Sequence, residues 1–205
     1  MRSIINDDSL DIDIVEAYKG EQPLLADDVA WFIMGSRYSA YSDLSWIKAL
    51  ENQIQLGIQS NIPMLGICFG HQVLCQALGG NVVKNRKGWE IGSSQIDLTE
   101  KGMKSSLFEG FENTFYAYES HQDVVETLPS NINILARNNY GVQSFSFSDY
   151  IYGVQFHPEF SFEVMKAYYD IRVDNLDNKD TYYVEDKNDG IGVIGNFIKS
   201  NLKGK

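Results

Sequence analysis

Apolar and polar residues alternate along LDIDIVEAY, near Leu10 to Tyr18, and the turn signal KGEQP follows. A period of two is that of a strand with one buried face, so a strand is predicted there. VAWFIMG, Val29 to Gly35, is a continuous apolar run and reads as a strand covered on both faces. From Leu44 to Gln59 the residues Leu44, Ile47, Leu50, Ile54 and Ile58 fall at helical spacing. That spacing predicts a helix crossing over to the next strand, Pro63 to Ile67. HQVLCQALGG then reads as a helix closed by Gly79 and Gly80.

The second half changes character. Short strands are predicted near Ser94 to Leu98, Thr114 to Ala117, Asn133 to Arg137, Gln143 to Phe147 and Ile151 to Gln155, separated by turn residues. Two helices follow, Phe162 to about Leu176 and Gly190 to Asn201, joined by the polar stretch DNKDTYYVEDKND. No internal repeat is visible. Strands alternating with helices argue a three-layer α/β core with mixed strands in its second half, and the sites of such sheets lie at the carboxyl ends of the strands.

Length and composition narrow the picture little. The 205 residues, 43% hydrophobic and 22% charged, suit one α/β domain spanning residues 1–205, with a full core. A formal net charge of −11 repels phosphate backbones and anionic membrane surfaces, which excludes nucleic acid and membrane as expected partners. The N-terminal MRSIINDDSLDID lacks the apolar core of a signal peptide, and no run approaches a membrane span. The cytoplasm is the expected location. The two cysteines, Cys68 and Cys75, stand seven apart in one predicted helix, too far along its axis to bridge.

The candidate chemistry centres on Gly66-Ile67-Cys68-Phe69-Gly70-His71-Gln72, which follows a buried strand and opens a helix. Strand, sharp turn and helix form the setting of a nucleophile elbow. Gly66 and Gly70 let the turn close and let substrate approach the backbone. At a helix N-terminus Cys68 meets a partial positive charge that favours the reactive thiolate. Cys75 reads as a buried small hydrophobe. Further on, Gly153-Val154-Gln155-Phe156-His157-Pro158-Glu159 ends a strand with His157 and Glu159 two apart. Extended backbone points both to one side, and Pro158 forbids a helix. A histidine near Cys68 could take the thiol proton, with the carboxylate orienting the ring.

Gly66, Cys68, Gly70 and Gln72 match the G-x-C-x-G-x-Q signature of class I glutamine amidotransferases. From about Leu10 onward the chain resembles that family, and it looks most like free-standing GMP-synthase-like members, whose loop Lys87-Gly88-Trp89-Glu90-Ile91-Gly92 is also similar. The resemblance implies a flavodoxin-like three-layer sheet. It implies cleavage of a γ-glutamyl amide through a thioester on Cys68, with His157 as base and Glu159 as its orienting acid. It implies an oxyanion hole at Gly35 and Phe69, although Gly35-Ser36-Arg37 stands where many members have Gly-Gly-Pro. Gln72 and the segment Ser120-His121-Gln122-Asp123 are similar to the family's holders of the glutamine α-amino and carboxylate groups. His71 reads as a packing or surface residue.

No cofactor is expected, and no metal, since no C-x-x-C or H-x-x-x-H spacing occurs. Three functions compete: a glutaminase component feeding ammonia to a synthetase, a free-standing γ-glutamyl hydrolase, and a catalytically silent regulatory module. The intact Cys, His and Glu set argues against the third. No G-x-x-x-x-G-K-[ST] occurs, so a synthetase partner is expected to be a separate polypeptide. Glutamine or another γ-glutamyl small molecule is the expected substrate. The resemblance also implies that the family's first strand and most of its first helix are missing ahead of Leu10, with MRSII matching only the helix end.

Overall fold

The structure, a computed structural model, describes Ile5 and residues 10–176 and 179–202. Nine strands and four α-helices run in the order β1 (Trp31–Ile33), α1 (Ser45–Gln59), β2 (Met64–Ile67), α2 (Phe69–Ala77), β3 (Asn81–Lys84), β4 (Glu90–Leu98), β5 (Thr114–His121), β6 (Asp123–Thr127), β7 (Asn133–Asn138), β8 (Gly141–Ser146), β9 (Ile151–Val154), α3 (Phe162–Arg172) and α4 (Gly192–Asn201), among the described residues. Seven strands make one mixed sheet in the order β1-β2-β9-β8-β7-β4-β5. Its β1, β2 and β9 are parallel, and the rest pair antiparallel. The strands β3 and β6 form a separate antiparallel pair.

Alternation along β2 explains the layers. Met64 joins Ile47, Ile54, Val73 and Leu74 in a core under α1 and α2. Leu65 and Ile67 point the other way, into a core with Val193 and Phe197 of α4. Helices on both faces of a mainly apolar sheet give the expected three layers. The helix α2 ends as its glycines suggest, with Gly79 at φ +90° just past Leu78.

Leu10 to Tyr18 departs from the sequence expectation: it is irregular chain leading into a single 3₁₀ turn at Ala17–Lys19. Ile14 and Tyr18 are 73% and 61% exposed. Alternation marks a strand only where a neighbour accepts its backbone, and here local groups do so instead. The Glu16 N–H donates to Glu21 Oε2 at 2.7 Å. Among the described residues β1 pairs only with β2, and MRSII lies largely outside the described residues. The short strands β3 and β6 went unpredicted. The helix expected to reach Leu176 stops at Arg172 and tightens into a 3₁₀ turn. No described helix is long and apolar enough to cross a membrane.

Candidate active site

All four residues of β2 are buried, and the chain enters α2 through a single sharp turn at Cys68, with φ 54° and ψ −105°. A non-glycine residue keeps positive φ only where its surroundings hold it. Here the Cys68 N–H donates to Val154 O at 2.9 Å, and Cys68 O accepts from the Gln72 N–H at 3.1 Å. The flanking glycines are demanded by packing. A Cβ on Gly66 would lie 2.5 Å from Gly70 O, and one on Gly70 only 1.8 Å from Ile33 O. They allow three backbones, β1, β2 and α2, to meet beneath the cysteine.

The chain leaving β9 carries His157 toward that turn. Its N–H donates to Tyr118 O at 2.7 Å, so the far edge strand β5 curls round to fix the histidine. His157 Nδ1 lies 2.8 Å from Glu159 Oε1, and its ring stacks on Phe160 at 4.0 Å between centroids. The stack continues to Tyr168 at 5.1 Å, and Arg172 covers the faces of Tyr168 and Trp89. Asn188 Nδ2 ties the carbonyls of His157 and Phe160, each at 3.1 Å. Burial opposes a charged imidazole. The negative charge of Cys68 and its hydrogen bond, then the bond and charge of Glu159, outweigh burial and push His157 up to about 10.

Gly35, at the end of the β1 run, borders both groups: a Cβ there would sit 3.3 Å from His157 Cε1 and 3.9 Å from Cys68 Cβ. Phe69 is the first residue of α2, where a helix N–H has no partner within its own helix. The structure thus brings Gly35, Cys68, Phe69, His157 and Glu159 to one place, at the carboxyl ends of the parallel strands.

The other expected residues lie deeper. Gln72 Nε2 donates to Asp123 O at 3.2 Å and Gln155 Oε1 at 3.0 Å, so this amide nitrogen braces the turn after β5. Ser120 Oγ is buried with no hydrogen-bond partner among the described residues. Gln122 O accepts the Asn85 N–H at 2.7 Å. Both ring nitrogens of His121 face protein acceptors, Nδ1 at 2.9 Å from Asp123 O and Nε2 at 3.1 Å from both Glu90 Oε2 and Glu119 Oε2. His71 is fully buried and packs on Phe145, and burial lowers it to about 3.

The cluster Glu90, Glu119 and His121 escaped sequence reasoning. The β4–β5 register sets Glu90 opposite His121, and the period of two puts Glu119 on the same side. The available signal was a charged residue at an inward position of an apolar strand. The three ligand atoms lie within 4.8 Å of one another, the spacing a metal would need. Asn138 and Gln143 already donate to Glu90, at 2.6 and 3.0 Å. Burial first, then the Glu90 charge, raises Glu119 to about 7 despite the opposing pull of His121. A carboxyl raised in the folded state lends stability that is full below its unfolded value near 4.5 and is lost as pH climbs through about 7. The melting temperature is therefore expected to fall from pH 5 to pH 8, and less so in Glu119→Gln. Equal falls in the two proteins would show that Glu119 does not titrate this way.

Residues 35–171 match the family model described as glutamine amidotransferase class-I. The chain belongs to this family. It is 31% identical over 169 residues to γ-glutamyl peptidase 4 of Arabidopsis thaliana, covering 80% of this chain and 67% of that protein. It is 35% identical over 131 residues to a glutamine-hydrolyzing GMP synthase subunit from Methanococcus vannielii, covering 63% of this chain and 66% of that one. The chain thus spans about two thirds of the length of each relative. A crystal structure of a glutamine amidotransferase from Thermotoga maritima superposes with a TM-score of 0.80 at 22% identity, over 100% of this chain and 92% of that one. This likeness carries the family fold, curled mixed sheet included.

Proposed function

We propose that the chain hydrolyses a γ-glutamyl amide through a thioester on Cys68, in the cytoplasm and without a cofactor. The observation that supports this most is the strained Cys68 turn sharing the Gly35 border with a buried His157 whose ring Glu159 orients. The Cys68 sulfur attacks the amide carbon, and the carbonyl oxygen gains negative charge beside the Gly35 and Phe69 backbone. Two such donors are worth several kcal/mol where charge develops. His157 passes its proton to the departing nitrogen, and the C–N bond breaks to leave the γ-glutamyl thioester. Water then attacks, giving its proton to His157, and glutamate leaves as the thiolate returns. The segment Ser120 to Asp123 receives the glutamyl α-groups, with Gln72 and His121, whose donor nitrogens face protein acceptors, bracing it from behind.

A panel of γ-glutamyl compounds, glutamine included, tests this by release of glutamate with ammonia or amine. Turnover of γ-glutamyl dipeptides by the lone protein marks a free-standing hydrolase, the class its plant relative is named for. Turnover of glutamine only alongside a separate synthetase marks a component of a larger enzyme, the role in the name of its Methanococcus relative. No turnover in either setting contradicts both. A glutamine-mimicking chloroketone is expected to label Cys68 and spare Cys75, whose thiol burial pushes up to about 12. Equal labelling of the two would show that the Cys68 turn activates nothing.

A further inference from the structure

We propose that Arg37 binds the carboxylate carried by the leaving amine, which makes γ-glutamyl amino acids and peptides with a free carboxylate next to the cleaved amide the favoured substrates. This rests on the hydrolysis proposed above. Arg37 is exposed and stands two residues beyond Gly35, the glycine that borders both Cys68 and His157. The chain has 28 acidic residues against 17 basic ones, and the lysines at 19, 48, 166, 179, 187 and 199 each pair with a carboxylate. Among the described residues Arg37 pairs with none. Among those residues its guanidinium meets only Tyr38, by one bond to the hydroxyl at 3.2 Å and by lying 5.2 Å over the ring. Most of its five N–H donors stay free for a planar bidentate partner.

The loop that carries Arg37 is fastened to the site. Tyr41 donates to Asp123 Oδ1 at 3.0 Å. Tyr38 packs edge-on to Trp46 at 5.9 Å, and Trp46 lies 5.6 Å from Phe69, the residue after Cys68. In a γ-glutamyl amino acid the anionic group lies one carbon past the nitrogen that leaves, just outside the scissile bond. A protein of charge −11 repels such an anion, and a cation free of carboxylate partners two residues past Gly35 opposes that field locally. A bidentate arginine–carboxylate contact supplies the geometry as well as the attraction.

The test compares γ-glutamylglycine with γ-glutamyl methylamide, which differ only by that carboxylate. The wild-type protein is expected to prefer the dipeptide in kcat/KM, and Arg37→Met to reduce the ratio about tenfold, the effect of one charge-assisted contact. Arg37→Lys should recover part of it, and salt should erode the wild-type preference. Binding of the same pair to Cys68→Ala reads the subsite without turnover, so a failure of the hydrolysis and a failure of the subsite are told apart. A wild-type protein that does not discriminate between the two compounds, in turnover or binding, or a ratio that Arg37→Met leaves unchanged, overturns the proposal.

Discussion

Replacing Cys68 by alanine is expected to abolish γ-glutamyl hydrolysis, at least about 10³-fold in kcat, while fold and ligand binding persist. The thiol is 7% exposed and small, so little packing is lost, and alanine keeps the backbone bonds that Cys68 makes to β9 and α2. His157→Ala should lose nearly as much. The double variant should be scarcely worse than either, because nucleophile and proton carrier act as one unit. Glu159→Gln should be milder: its amide still offers an acceptor to Nδ1 at the position of the present 2.8 Å bond, but no charge to hold the imidazolium. Activity in Glu159→Gln below that of His157→Ala would reverse the roles assigned to the two residues.

Gly70→Ala is expected to cost about 3 kcal/mol or more, because overpacking against backbone cannot be relieved by a rotamer change. The added carbon would meet Ile33 O at 1.8 Å and Ile33 C at 2.6 Å, so β1 and α2 must separate. A shift of roughly 2–4 °C per kcal/mol for a chain of this size predicts a fall in Tm near or above 6 °C. Activity should fall with it, since Ile33 leads directly into Gly35. Gly195→Ala is the contrast: nothing lies within 4 Å of its Cβ, and alanine in the α4 interior should be neutral or stabilising. A Gly70→Ala protein as stable as the Gly195→Ala protein would refute the packing account of the elbow.

What the sequence made legible was local. At Gly66 and Gly70, on either side of Cys68, the need for close backbone approach selects glycine, so geometry leaves its mark within five residues. His157-Pro158-Glu159 is legible for the same reason, since the pair that must touch is two apart. Pairings made by distant register left no such mark. Glu90 and Glu119 are 29 positions apart and meet only because β4 and β5 pair, and the short strands β3 and β6 are defined by each other. Leu10 to Tyr18 shows the converse, an alternation that no strand among the described residues pairs with. Phe160 lay beside a legible motif, yet its stacking on His157 depends on how the chain turns after Pro158.

The most direct measurement is acid quench of the wild-type protein during turnover of a γ-glutamyl dipeptide, followed by peptide mapping by mass spectrometry. The account predicts a γ-glutamyl adduct on the peptide bearing Cys68, none on the peptide bearing Cys75, and neither adduct nor turnover in Cys68→Ala. Glutamate released at the wild-type rate by Cys68→Ala, or an adduct on another residue, would contradict it.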